Sequence, residues 1–79
     1  MTETQVLAEI TEIVRGLFLR ECIELQMDTT ARDIEGWDSF RHIEIMLAVE
    51  THFNVRLTSR DIDEVDCVGD LVNIISRRV

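Results

Sequence analysis

The stretch "EGWDSFRHIEIMLAVETHF", Glu35 to Phe53, decides the fold of this chain of 79 residues. It begins as a polar segment with one glycine, and from Ser39 onward apolar residues recur at the spacing of an α-helix. On a helical wheel these apolar residues cover well over half of the circumference. We therefore predict a helix over about residues 39–53 that packs on several sides. Its narrow polar strip, open to a partner, consists of Arg41, Glu44, Ala48 and Thr51.

The chain upstream of this helix is predicted to form another helix and a long loop. Apolar residues from Val6 to Phe18 recur at helical spacing, which predicts a helix over about residues 3–19 with a threonine cap. The period fails between Arg20 and Asp38, and loops of this length are uncommon in compact domains. We expect the loop to be pinned across the helices by Ile23, Leu25, Met27 and Ile34.

Downstream, a short helical turn and a last helix complete the predicted fold. Ser59 can cap a turn over "RDIDE", and Asp66 or Cys67 precedes a last helix that extends to about Arg78. Its predicted core positions are Val68, Leu71, Val72, Ile75 and Val79. The sequence thus predicts an all-α bundle of three main helices plus one short helix, as a single domain over residues 1–79.

Composition and charge restrict the possible partners and the compartment. Sixteen acidic residues outnumber eight arginines, so the net charge of −8 disfavours nucleic acid and favours basic protein surfaces. There is no secretory signal, and no apolar run approaches the roughly 18 residues of a membrane span, so we expect a cytoplasmic protein without membrane insertion. Cys22 and Cys67 are expected to be buried thiols in a reducing compartment.

The sequence gives little support to a catalytic or metal site. Ser39 and His42 lie one helical turn apart, but Asp38 adjoins Ser39 and cannot orient the far side of the imidazole, so we expect no hydrolase triad. The cysteines and histidines match no zinc spacing. The acidic run "DIDEVD" lacks the central glycine and final glutamate of a calcium loop, so no metal site is expected.

Ser39 stands at the start of the central helix, where two roles compete. A serine there is ordinarily an N-cap, because its oxygen accepts from an orphan backbone N–H. Asp38 caps at least as well, which leaves Ser39 free for the first helical position with its hydroxyl exposed. Free N–H groups and the helix dipole would stabilise a phosphoester on Ser39. Trp37 is expected to pack the incoming loop against the bundle.

The segment "GWDSFRHIEIMLAVETHF" resembles the signature of the acyl carrier protein family, in which D-S-L precedes an apolar helix that ends in acidic residues and Phe. The later "VGDLVNII" resembles that family's last helix, and the order of elements agrees over nearly the whole chain. The resemblance implies that Ser39 carries a 4′-phosphopantetheine arm, which a separate phosphopantetheinyl transferase transfers from coenzyme A. It also implies that the arm's thiol holds an acyl, aminoacyl or polyketide intermediate as a thioester, and that the chain is not an enzyme.

The same resemblance implies which residues face partners. Asp38 matches the aspartate beside the modified serine, which implies contact with basic residues of the transferase. Acyl-loading and acyl-processing enzymes with basic docking surfaces would bind at Phe40, Arg41, Ile43, Glu44, Leu47 and Glu50. Ile43 and Leu47 fit an ordinary core role equally well. The W-D-S motif resembles stand-alone carriers of specialised or secondary-metabolite pathways, and Arg41 makes the helix start less negative than in fatty-acid carriers.

One alternative function stays open at this point. A small acidic helical module could dock basic partners and carry nothing, with Ser39 only a helix cap. The two functions differ in the effect of Ser39→Ala, because loss of a cap costs about 1 kcal/mol of stability, whereas a carrier would lose its loading and stay folded. No feature indicates homo-oligomerisation, so we expect a monomer.

Overall fold

A computed structural model describes residues 1–79 and contains four α-helices and one 3₁₀ turn, with no strand. The elements are α1 (Glu3–Phe18), the 3₁₀ turn (Ala31–Asp33), α2 (Ser39–Phe53), α3 (Ser59–Asp63) and α4 (Val68–Arg78). The predicted all-α fold with three main helices and one short helix is confirmed. Helix α1 packs against both α2 and α4. None of the helices combines the length and the apolar character needed to cross a membrane.

Helix starts are fixed by reciprocal caps. At α1, Thr2 Oγ1 accepts from the Gln5 N–H, and the Gln5 side chain accepts from the Thr2 N–H at 2.9 Å. The prediction that Ser59 caps the short helix is wrong. Thr58 is the cap, since its Oγ1 accepts from the Asp61 N–H at 3.1 Å and the Asp61 carboxylate accepts from the Thr58 N–H. Ser59 is instead the first residue of α3.

The core is formed by apolar side chains from α1, α2, α4 and the loops. The essentially inaccessible ones are Val6, Ile10, Val14, Ile45, Met46, Val49, Leu71, Val72 and Ile75. Val79 was predicted to join them, and this is wrong: it follows the last turn of α4 and is 48% exposed. The prediction that α2 packs on several sides is also wrong, because its buried residues, Ile45, Met46 and Val49, occupy one side only.

The long loop between α1 and α2 is pinned by side chains at three of the four predicted positions. Ile23 and Leu25 are buried, and Ile34 packs half-buried against the core. The prediction for Met27 is wrong, since its side chain is exposed. The reason is that the loop uses the backbone of this residue, and not its side chain, to hold α4.

Two loop carbonyls complete the N-terminus of α4. The Gly69 N–H donates to the Met27 carbonyl at 2.7 Å, and the Val68 N–H donates to the Thr29 carbonyl at 2.8 Å. These are donors that a helix start cannot satisfy internally. The approach is so close that a Cβ at Gly69 would lie 2.6 Å from the Met27 oxygen. Position 69 therefore requires glycine for lack of space.

Helix α3 has no buried residue and is tied to the end of α4 by an ion pair. Arg78 donates to both carboxylate oxygens of Asp61, at 2.7 and 3.2 Å, and also to the Arg56 carbonyl at 2.8 Å. The hydrogen bond from Arg78, followed by the backbone bond from Thr58, holds the pKa of Asp61 well below its usual range. The ion pair is therefore one link between α3 and the bundle, beside the half-buried Ile62 that packs against the core.

Both cysteines are free thiols in the structure. Cys67 is half-buried at the start of α4, while Cys22 is exposed in the long loop. The expectation of buried thiols is therefore wrong for Cys22, because this loop buries the neighbouring Ile23 instead.

Candidate functional site

Ser39 is the first residue of α2, and its side chain is exposed. The cap is Asp38, whose backbone is extended and whose Oδ1 accepts from the Arg41 N–H at 2.8 Å. The Ser39 hydroxyl makes no hydrogen bond within the chain. Because Asp38 already performs the capping role, the hydroxyl of Ser39 is free to form an ester.

The start of α2 is electrostatically suited to an anion. The backbone N–H groups of Ser39 and Phe40 have no partner within the helix, and the first turn of α2 contains no acidic residue. These free donors and the positive end of the helix dipole stabilise a phosphate placed at Ser39. The residues present therefore fit a phosphoester at this position.

A groove of about 490 Å³ opens beside Ser39, between α2 and the segment around α3. Its lining combines apolar side chains with two carboxylates, and consists of Ala31, Trp37, Asp38, Ser39, His42, Ile43, Ile62, Asp63 and Val65. Behind the groove a crevice of only about 20 Å³ continues towards Cys67 and Leu71. This exceeds the roughly 10–15 Å³ that a single water molecule needs, so the crevice has room for water. The groove thus lies on the surface, and only a narrow crevice continues behind it.

Trp37 fixes the segment that presents Ser39. Its ring packs edge-on against Phe18 with centroids 6.3 Å apart, and its Nε1–H donates to His42 Nδ1 at 3.2 Å. The guanidinium groups of Arg20 and Arg41 also lie 5.4 and 5.7 Å from the centroid of the Phe18 ring. The prediction that Trp37 packs the loop against the bundle is confirmed.

Three large apolar side chains of α2 face outward next to Ser39. Phe40 is 71% exposed, Ile43 47% and Leu47 57%, and their spacing of three and four residues places them on one side of the helix. We call these residues the outward row. The core role considered for Ile43 and Leu47 is therefore excluded by their exposure. Three large apolar side chains exposed on one helix face are available for contact with a partner.

The polar residues predicted to face partners are used in different ways. Arg41 donates to Glu44 at 2.8 Å, and both side chains are partly exposed beside the outward row. Glu50 accepts from the Leu57 N–H at 2.7 Å, so one of its oxygens is engaged in holding the segment after α2. The structure therefore brings Arg41 and Glu44 together at the outward row and gives Glu50 an internal partner.

The histidines are separated by the length of α2. His52 is bonded to Glu9 of α1 at 2.8 Å, whereas His42 is half-buried against Trp37. Nowhere do three or more histidine, cysteine or carboxylate side chains come together in a way that could hold a metal ion. Sequence reasoning missed the bond between Trp37 and His42. The spacing of these two residues across the Asp38 cap was the only available signal, and it specifies no contact by itself.

The chain is similar to known proteins in both sequence and structure. The family described as "Phosphopantetheine attachment site" matches residues 8–75. An acyl carrier protein of Exiguobacterium sibiricum is 27% identical over the full length of both chains, and one of Clostridium acetobutylicum is 27% identical over 89% of this chain and 91% of its own. The solution structure of a holo acyl carrier protein from Geobacter metallireducens superposes with a TM-score of 0.85 at 29% identity, covering 91% of this chain and 83% of that one.

These similarities agree with the geometry at the start of α2. The family match extends from α1 to α4 and includes the whole groove and the free hydroxyl beside it. The cofactor that belongs to such a site is 4′-phosphopantetheine, attached covalently. The chain therefore belongs to the phosphopantetheine attachment site family and, within it, to the acyl carrier proteins, which are carriers and not enzymes.

Proposed function

We propose that Ser39 is the residue that carries the 4′-phosphopantetheine arm. The observation that carries this proposal is the capping of α2 by Asp38, which leaves the neighbouring hydroxyl exposed and without a hydrogen bond. Ser59 also occupies the first position of a helix, but α3 has only five residues, and Ser59 does not line the groove. Ser76 is half-buried within α4, and its Oγ is inaccessible. Ser39 is thus the serine best placed for modification.

The chemistry at Ser39 needs a partner enzyme. A serine hydroxyl is a weak nucleophile without a base, and the Ser39 hydroxyl is bonded to none. A phosphopantetheinyl transferase must therefore accept the Ser39 proton as the hydroxyl attacks the pyrophosphate of coenzyme A, the pyrophosphate bond breaks and adenosine 3′,5′-bisphosphate leaves. Once attached, the arm supplies a thiol that holds an acyl group as a thioester. The N–H groups at the start of α2 would stabilise the phosphodiester.

Acyl carrier proteins work with phosphopantetheinyl transferases and with acyl-processing enzymes. We propose that both kinds of partner contact Asp38, the outward row and the Arg41–Glu44 pair, with Glu50 at the far edge. Support comes from the exposure of the outward row and from the net charge of −8, which attracts surfaces that are basic around an apolar centre. Attraction of this kind speeds encounter more than it tightens binding, which suits a carrier that must leave each enzyme.

We further propose that residues 1–79 act as one monomeric carrier domain in the cytoplasm. The two free thiols, one of them exposed, are typical of a reducing compartment. The W-D-S motif and the arginine at position 41 favour a specialised pathway over housekeeping fatty-acid synthesis.

Intact mass spectrometry tests the attachment at Ser39. The chain is incubated with coenzyme A, Mg²⁺ and a broad-specificity phosphopantetheinyl transferase, in parallel with Ser39→Ala and the matched control Ser59→Ala. We expect one phosphopantetheinyl increment on the wild type and on Ser59→Ala, and none on Ser39→Ala. An increment on Ser39→Ala would place the arm elsewhere. A folded wild type that gains nothing from a transferase active on another carrier would overturn the proposal.

A further inference from the structure

The hydrogen bond between Trp37 and His42 determines where the neutral imidazole carries its proton. An indole N–H can only donate, so the His42 Nδ1 that receives it at 3.2 Å must be the bare nitrogen. The proton of neutral His42 therefore sits on Nε2. The Trp37 ring is itself held by Phe18, with ring centroids 6.3 Å apart, so the imidazole has a fixed orientation.

The Nε2–H of His42 has no partner within the chain, and it reaches solvent. The fully buried side-chain polar atom that lacks a hydrogen bond is Ser76 Oγ, not an atom of His42. His42 lines the groove together with Ser39. The two residues are one helical turn apart, which brings their Cβ atoms to about 5–6 Å of each other. The side chain that bears this donor thus lines the same groove as Ser39, one helical turn away along α2.

We propose that His42 is a positioning residue for the arm, in that its Nε2–H donates to the phosphodiester that joins the arm to Ser39. This inference rests on the proposed attachment at Ser39. The acceptor is an anion, and a hydrogen bond to a charged group is stronger than one between neutral groups. Asp38 and Asp63 also line the groove, but carboxylates offer such a phosphodiester no donor. His42 is therefore the side chain of the groove that can hold the near end of the arm against α2.

Nitrogen NMR of the two histidines tests the contact, with His52 as an internal control. The chain is labelled with ¹⁵N and loaded with unacylated arm, and loading at Ser39 is verified by mass. Ring resonances are then compared between the unloaded and loaded forms at one neutral pH. We expect the His42 Nε2 resonance to shift on loading and those of His52, which is bonded to Glu9, to stay in place. Unchanged His42 resonances in a fully loaded sample would overturn this inference alone, whereas failure of loading at Ser39 would overturn both proposals.

Three variants separate a donor role from a structural one, with the ³¹P resonance of the phosphodiester as the readout. His42→Leu removes the donor, and we expect the resonance to move away from its wild-type position. His42→Gln places an amide donor near the position of Nε2 and should restore it. His42→Asn keeps an acceptor for Trp37 near the position of Nδ1 but is too short to donate, so it should resemble the leucine variant. A wild-type resonance in the leucine variant, or restoration by asparagine as complete as by glutamine, would refute the donor role.

Discussion

Substitution of Gly69 by alanine tests how the long loop holds the last helix. The added Cβ would lie 2.6 Å from the Met27 carbonyl oxygen, whereas ordinary van der Waals contact begins at 3.4 Å. The loop and α4 must therefore separate by about 0.8 Å, the difference of those distances. The hydrogen bond from the Gly69 N–H to the Met27 carbonyl, now 2.7 Å long, would then be weakened because its N···O distance would exceed the usual range.

The expected cost follows from three contributions. Overpacking against backbone that cannot rotate away costs about 1–3 kcal/mol, and the weakened hydrogen bond adds about 1 kcal/mol. Alanine recovers up to about 1 kcal/mol through its higher helix propensity. The free energy of unfolding should therefore fall by about 2 kcal/mol. For a domain of this size, the melting temperature should fall by about 8–16 °C.

Urea denaturation followed by circular dichroism measures this change, and Gly16→Ala is the matched control. A Cβ at Gly16 in the interior of α1 meets no atom within 4 Å, so the same substitution should stabilise the chain there by up to about 1 kcal/mol. Opposite signs at the two glycines are the expected result. If Gly69→Ala were as stable as the wild type, the close approach of the Met27 carbonyl could not be what requires glycine at this position.

Three further substitutions have expected outcomes. Asp38→Ala removes the cap of α2 and should lower the free energy of unfolding by about 1 kcal/mol in urea denaturation; no loss would reassign the cap. Leu19 is 89% exposed and has a φ of 54°, which is unfavourable for a residue with a Cβ. Leu19→Gly should therefore raise the free energy of unfolding, measured by thermal denaturation, by about 1 kcal/mol. A fall would show that the leucine side chain is needed. Folding lowers the pKa of Asp61, mainly through its hydrogen bond with Arg78. The ionised carboxylate therefore stabilises the fold fully above the unfolded carboxyl pKa of about 4. This stabilisation is lost as the pH falls through the folded pKa. Asp61→Asn should therefore weaken the acid dependence of stability below about pH 4, and an unchanged dependence in denaturation at several pH values would contradict this.

Helix positions could be predicted from the sequence because periodicity and caps are local. The helix bounds of 39–53 for α2 agree with the structure, and α1 ends within one residue of its predicted end. The short helix shows the limit of such reasoning. Thr58 and Ser59 are both acceptable caps. Thr58 takes the role because Asp61 lies three residues after it, where its carboxylate accepts from the Thr58 N–H.

Burial could be predicted less well, because it depends on what packs against each face. The apolar circumference of α2 predicted packing on several sides, yet Phe40 and Leu47 have no element over them. Met27 looked like an apolar anchor, whereas its carbonyl makes the contact with α4. At the site, the D-S pair made an exposed hydroxyl at the first position of α2 one of two possible roles for Ser39, and the structure shows Asp38 as the cap and Ser39 exposed. The bond between Trp37 and His42 depends on how the loop enters α2, which periodicity does not describe.

The outward row also affects how concentrated solutions of the chain behave. Three large apolar side chains on one exposed helix face ordinarily make a protein adhesive towards its own copies. With eight net negative charges on each copy, mutual repulsion opposes that adhesion. The repulsion disappears near the isoelectric point of about 4.5, where the copies should begin to aggregate through this face. The negative charge that we propose attracts basic enzyme surfaces therefore also keeps the copies of the chain dispersed.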